Sequence, residues 1–585
     1  EVTRDPSDHA RLLEKIGQLQ ALRSHYDEGQ QSLTAAVEAY TALGDDELAG
    51  VVASHFVAAY RAAPDGPAGE AVAAQARVSL LATADRAETL GALGQAIDAL
   101  TSALEVTRDP SDHARLLEKI GQLQALRSHY DEGQQSLTAA VEAYTALGDQ
   151  VGIIRAVGRR VLASLGSAQI ATAMEIARPY REAAEELAAR DRHGSSVAGL
   201  DAVEGDAAAA LFLEALGRTA FRNQEMEEAV RLSDRALALA ETLRLDEIVA
   251  MALVTKASAL MFSGHRREGI ALLEGAVLDA RAHGQHAAAL RGGNNLASGM
   301  VDSDPRASLE RTREGMALAR RLGLSGFDAY HAGNAVGAAE HLGEWAWVRQ
   351  ALGELVENDP DRIDVEWIVA NRDAFTAWTG NPDIARAERM RASALAESDY
   401  QSELNIGGWL ARCAFAAGRP DEAVRHAEPF FRYASEGGHT SEFAMMARFG
   451  LHAGRVEVAE RVLVLVEDLF GGLTDHDKAN VQAGIAALQG RVPESLGLYR
   501  SALAGYRDAG CRFDVALTVL DMAALIGTDE PAVRAAIPEG REILVGLGAQ
   551  PLVERLDALA GERGRPSMSE DQPSSASVAS SGMPS

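Results

Sequence analysis

The sequence predicts an all-α protein, a right-handed superhelical solenoid of stacked helical hairpins, on three observations. Gly343, Gly380, Gly418, Gly454 and Gly490 recur 37, 38, 36 and 36 residues apart, each between two alanine-rich amphipathic stretches. Such a glycine marks the reversal of a hairpin, because a residue without Cβ escapes the ~1–2 kcal/mol cost of a left-handed turn. One turn at so regular a period signals a helical-repeat array. Hydrophobic residues make up 47% of the chain and aromatics only 5%, so Ala and Leu, the strongest helix formers, must fill the core. Strand signals are scarce; the apolar run from Val462 to Val466 sits inside helical spacing. At 585 residues one core would be too large, whereas a solenoid buries each apolar stripe only against its neighbours.

Residues 1–45 recur unchanged at 105–149, although every other pair of units has diverged almost beyond recognition. This reads as a recent duplication or an artefact of sequence joining, and residues 1–45 are assigned no function. The copy at 105–149 fits its surroundings, since Ala96, Ile97, Leu100, Ala103 and Leu104 form the second helix of a hairpin that runs into it. Residues 46–189 hold weaker N-terminal units, interrupted at Pro64, Asp65, Gly66 and Pro67. Residues 190–206 read as a loop, 207–548 as the main array and 549–560 as a capping helix. The tail 561–585 carries eight Ser and three Pro in its last twenty positions, 566–585, and is expected to be disordered.

Within the units, large apolar and small residues keep fixed offsets from the turn, as a stripe facing the neighbouring helix requires. Residues 11–43 give Leu13, Ile16 and Gly17, then Gly29, Leu33 and Ala36. Residues 211–240 give Leu213, Leu216 and Gly217, then Ala229, Ser233 and Ala236. Around Gly264 lie Leu253, Ala257 and Leu260, then Gly269, Leu273 and Ala276; around Gly490 lie Ala483, then Ser495, Tyr499 and Ala502. Small residues at these offsets on both helices are the pattern of tetratricopeptide repeats, and the chain resembles such an array.

Two stretches carry a narrower resemblance. DELAGVVASHFVAAYRAAP (46–64) is similar to the segment following the ATPase module in large bacterial class III adenylate/guanylate cyclase proteins. ALTVLDMAALIG (516–527) and LGAQPLVERL (547–556) resemble that family's C-terminal end. The resemblance implies a non-catalytic interaction or sensor module, the regulatory part of a signalling cyclase or ATPase. The alternative, an active cyclase or ATP-binding protein, lacks its chemistry: no G-x-x-x-x-G-K-[ST] loop occurs to cradle phosphates, nor any strand region for metal-binding aspartates. A further alternative, the repeat region of a LuxR-type transcription activator, would need a C-terminal helix-turn-helix where the Ser/Pro-rich tail stands.

Composition narrows the partners. A net charge of −29 disfavours nucleic acid, whose binding rests on Lys and Arg neutralising phosphate, and disfavours anionic membranes. Cys413 and Cys511, the two cysteines, have no metal or disulfide spacing and read as small core residues. No catalytic motif, metal site or cofactor is expected, and a cytoplasmic protein is the expectation. The acidic residues Glu354, Glu357, Asp359, Asp361, Asp364 and Glu366 lack the order of a calcium loop.

The candidate site is a groove for a protein or peptide. One position on the first helix of successive units, facing the inside of such a superhelix, holds Asn295, Asn334, Asn371 and Trp409. An Asn amide can pair with both N–H and C=O of an extended peptide. Arg291, Tyr330, Trp367, Trp378 and Arg412 fall nearby, and all five tryptophans lie within 345–409. Aromatics and Arg are the residue types that dominate binding hot spots.

Overall fold

Alanine and leucine at helical spacing give helix throughout the described chain, and no strand occurs among the described residues. The computed structural model describes residues 46–561 except 63, 168, 190–199, 359–364, 397–399, 434–439 and 470, and also Leu13, Lys15, Ile16, Ser32 and Ala35. Most of the duplicated segment 1–45 and the tail beyond Gly561 therefore lie outside the described residues.

The N-terminal helices are Asp46–Ala62, Gly66–Thr89, Leu93–Val106, Pro110–Leu126, Tyr130–Leu147 and Gln150–Gly166. A 3-10 turn, Arg178–Tyr180, joins Ile170–Ala177 to Arg181–Ala189. The expectation of a loop over 190–206 is corrected at its C-terminal part, because helix Leu200–Arg222 begins there. The alanines and Leu211 that follow continue this helix back through Asp201, Ala202, Val203 and Glu204, residues that carry no breaker. From Leu200 the pairing is regular. Leu200–Arg222 pairs with Met226–Leu243, Asp246–Phe262 with Arg266–Ala282, His286–Met300 with Pro305–Arg321, and Ser325–Leu342 with Trp345–Asn358. Val365–Arg372 and the single turn Thr376–Thr379 precede Ile384–Ala396. Tyr400–Ala416 then pairs with Pro420–Tyr433, Thr440–His452 with Val456–Leu465, Leu473–Leu488 with Val492–Ala509, and Arg512–Leu525 with Pro531–Leu547. Gln550–Gly561 closes the described chain.

The five periodic glycines all have positive φ, from 72° at Gly454 to 94° at Gly380. In the unit where Asp304 stands in place of glycine, its carboxylate accepts from the Ala307 N–H at 3.0 Å, and Pro305 opens the helix. Both are favoured at a helix start.

The first helix of each hairpin also lies against the first helix of the next, while the second helices pack chiefly on their sequence neighbours. The first helices thus form an inner layer, with small residues such as Ala252, Ala411, Ala447, Ala483 and Ala516 buried where they meet. The stack coils until distant units touch. Gly91 and Gly323, both left-handed, meet backbone to backbone: a Cβ on Gly91 would run into the carbonyl of Leu322, and one on Gly323 into that of Gly91. Leu290, Ala319 and Leu324 share one core with residues from Ala53 to Leu123. Farther along, the Leu473 N–H donates to the Asp302 carbonyl at 2.8 Å, and Leu547 covers Gly343. Helix Arg512–Leu525 is buried on every side from Phe513 to Ala523, because it lies between the inner helices of its own neighbours and Ser325–Leu342.

Candidate functional site

That convergence decides which inner-face residues remain available. Trp378, expected to wall a groove, is 0% exposed, packed edge-on to Phe415 and tilted on Phe513. It is corrected to a core residue. Its position, beyond the break after Arg372, points it into the space that Phe513 fills. The Trp409 indole N–H donates to the Ala374 carbonyl at 2.8 Å. Arg412 bridges Glu340 at 3.1 Å and Glu442 at 2.7 Å; burial would lower its pKa, but these two carboxylates raise it. Neither side chain has its polar groups free for a peptide.

The asparagines differ among themselves. Asn295 donates to the Ser258 hydroxyl at 2.8 Å, and Asn371 donates back to the carbonyl of Trp367 at 2.9 Å in its own helix. Asn334 is half-buried and makes no hydrogen bond among the described residues. One turn before it lies an exposed aromatic. Tyr330 is 42% exposed and stacks on Trp367 with ring centroids 5.8 Å apart and planes at 19°. Trp367 in turn lies on Gly333, where any Cβ would strike the indole. These residues form one continuous aromatic surface, with Asn334 one residue after the glycine.

On its other side Tyr330 meets arginines. Its hydroxyl accepts from Arg222 at 3.2 Å, across 108 residues of chain. Arg291 donates to the Met251 carbonyl and, at 2.9 Å, to the Thr255 hydroxyl, and lies 3.5 Å from Glu214. Burial, and then the like charge of Arg218, outweigh Glu214 and lower the Arg291 pKa to about 10. Arg218 and Arg222 are one helical turn apart and share a face. The sequence reading missed both; an i,i+4 pair of arginines ending an inner helix was the signal available.

A second polar cluster sits where Ser325–Leu342 meets Arg512–Leu525. His341 contacts Asp514 at 2.8 Å. Burial alone would depress this imidazole, but the charge and hydrogen bond of Asp514 lift its pKa to about 10. Asp477 accepts from the Tyr506 hydroxyl at 2.6 Å, its other oxygen has no partner among the described residues, and burial followed by Asp514 pushes its pKa up to about 7. Asp521 accepts from Arg448 at 2.9 Å, His452 at 2.8 Å and Asn480 at 3.1 Å. Burial alone would raise the Asp521 pKa, but the charge of Arg448 and the bond to His452 hold it below its ordinary value. A cavity of about 30 Å³ lies among His341, Arg412, Arg448, Asp477 and Asp514, room for one or two waters. This cluster ties inner helices together. No group of three His, Cys, Asp or Glu side chains suited to a metal occurs among the described residues. No described helix is long and apolar enough to cross a membrane.

Neither a family model nor a curated protein matches the chain. Among solved structures it is similar to the APC/C hetero-tetramer Cut9–Hcn1, at 11% identity and TM-score 0.40 over 82% of this chain and 96% of that one. It is also similar to yeast Tom70, at 12% identity and TM-score 0.24 over 92% and 100%. The P58(IPK) TPR domain follows at 10% identity and TM-score 0.20 over 92% and 98%. The fold class rests on the chain's own helices: it is an all-α solenoid of stacked hairpins.

Proposed function

We propose that the chain is a non-catalytic scaffold that binds an extended segment of a partner protein on its inner face around Tyr330, Asn334 and Trp367. The observation that carries this is Tyr330, an aromatic 42% exposed and stacked on a second aromatic, beside an Asn whose amide is uncommitted. Large aromatics with a polar handle are the side chains that dominate binding energy when covered. The resemblance of residues 46–64 and 516–556 supports a regulatory place in a bacterial cyclase or ATPase signalling protein, working in the cytoplasm.

Partner capture from a lysate of the source cell, followed by titration of the captured protein, tests the inner-face reading. Tyr330→Ala with Asn334→Ala should weaken that complex more than tenfold, about 1.4 kcal/mol or more, without lowering the melting temperature. Full affinity in the double variant would move the binding surface elsewhere. Calorimetry with Mg-ATP should give no heat of binding, and a micromolar dissociation constant would overturn the non-catalytic assignment.

A further inference from the structure

We infer that the inner face selects an acidic segment, and that Arg218, Arg222 and the Tyr330 hydroxyl form the subsite for one of its carboxylates. The inference rests on the inner-face reading above and adds the chemistry of the occupant.

Arg218 is half-buried and has no hydrogen bond or ion pair among the described residues. Close by is Arg291, whose positive charge is opposed by Arg218 and drawn by Glu214. Glu214 is committed, with its side chain 2% exposed, to Arg291 at 3.5 Å and to Thr255 at 3.4 Å. Glu214 offsets the charge of Arg291, so Arg218 beside it adds one guanidinium more than the carboxylate matches, and an arriving anion relieves their repulsion. Such a grouping is out of character for a chain with net charge −29, where arginines elsewhere find partners readily, as Arg155 and Arg159 do on Glu118.

The geometry supplies donors as well as charge. Arg218 and Arg222 project from one face of Leu200–Arg222. Arg222 donates to the Tyr330 oxygen, and the phenol O–H itself has no acceptor among the described residues. A carboxylate seated there would accept from Arg218 and from the phenol, both stronger donors toward an anion than toward a neutral group. From that point Tyr330, Trp367 and Asn334 carry the surface onward, so a peptide anchored by its acid would run across the aromatic pair with its backbone against the Asn amide.

The test uses the full chain and labelled hexaglutamate, with hexaglutamine and hexaarginine as comparison probes, in fluorescence anisotropy at low and at physiological salt. Hexaglutamate should bind, weaken with salt, and lose at least tenfold in affinity with Arg218→Gln. Arg349→Gln, an exposed arginine on an outer helix, should change nothing. Glutarate should raise the melting temperature of the parent more than chloride at equal ionic strength, and fail to do so with Arg218→Gln and Arg222→Gln together. If hexaglutamate and hexaglutamine bind equally and both are lost with Tyr330→Ala and Asn334→Ala, the acidic preference is overturned while the inner-face reading stands. If hexaglutamate binding is unaffected by Arg218→Gln, or absent altogether, the subsite is overturned, and the captured-partner titration decides the inner-face reading separately.

Discussion

His341 has the most perturbed environment that a simple measurement can reach. Its folded pKa, about 10, lies above the ordinary imidazole value of about 6.5. Its contribution to stability is therefore fully present below pH 6.5 and lost as pH rises through 10. Asp477, raised to about 7, acts in the same direction at lower pH, where its contribution is lost between about pH 4 and 7. His331, buried and lowered to about 4, acts oppositely between pH 4 and 6.5, so His341 is read above pH 7, where the buried thiols Cys413 and Cys511, both raised, add a fall of the same sign from about pH 8.5. The melting temperature should fall from pH 7 to 10, and His341→Gln should flatten that fall. Parallel slopes in the two proteins would mean that the His341–Asp514 pair contributes nothing across this window. None of this was legible in the sequence: His341 and Asp514 are 173 residues apart, and no local pattern says that two inner helices so distant will touch. The candidate residues fared unevenly for the same reason. Tyr330 and Asn334 were placed by helical register, which is local; Tyr330 is exposed and Asn334 half-buried. Trp378 obeyed no register, because the chain breaks after Arg372.

Turn glycines were legible because each answers to its own backbone, but their unequal burdens were not. Gly418 has positive φ and nothing within reach of a Cβ, whereas Gly323 has positive φ and the Gly91 carbonyl in the way. Gly418→Val should cost about 1–2 kcal/mol for the left-handed conformation. Gly323→Val should cost clearly more, since the neighbouring backbone must also move. Equal losses in chemical denaturation would show that the contact between these turns carries no strain. The repeated hairpin offers a second contrast between elements. In Pro110–Leu126 the buried Glu118 is held by Arg155 at 2.9 Å and Arg159 at 2.8 Å from helix Gln150–Gly166, and by the Tyr144 hydroxyl at 2.9 Å. The identical sequence at 1–45 is followed by Val51 and His55 at the corresponding positions, so the sequence offers Glu14 no arginine pair like the one that holds Glu118. Removing residues 1–45 should leave the melting temperature within a few degrees of the parent, and a fall beyond ten degrees would mean that the segment is integrated by other contacts.

In an ideal solenoid, removing terminal repeats subtracts their share of stability and leaves distant repeats alone. This molecule should behave otherwise, because Leu290, Ala319 and Leu324 are buried in the same core as Leu100 and Leu123. A variant beginning at Asp149 should show faster hydrogen exchange in His286–Met300 and Ser325–Leu342, more than 130 residues from the cut, while Arg512–Leu525 keeps its protection. Unchanged exchange in the first two helices would show that the coil closes without coupling its turns. The repeat period predicted the hairpins but not this closure, because the pitch is the sum of small rotations at every joint and no single residue encodes it. The Gly91–Gly323 contact then has a mechanical meaning. An open superhelix lengthens under load as a spring does, by sharing a small rotation among all its joints. Here the coil already rests on itself at that point, so axial compression meets a hard stop. Extension must first separate that pair of backbones and the shared core around Leu290, Ala319 and Leu324, so the molecule should stay stiff up to a threshold force and only then yield.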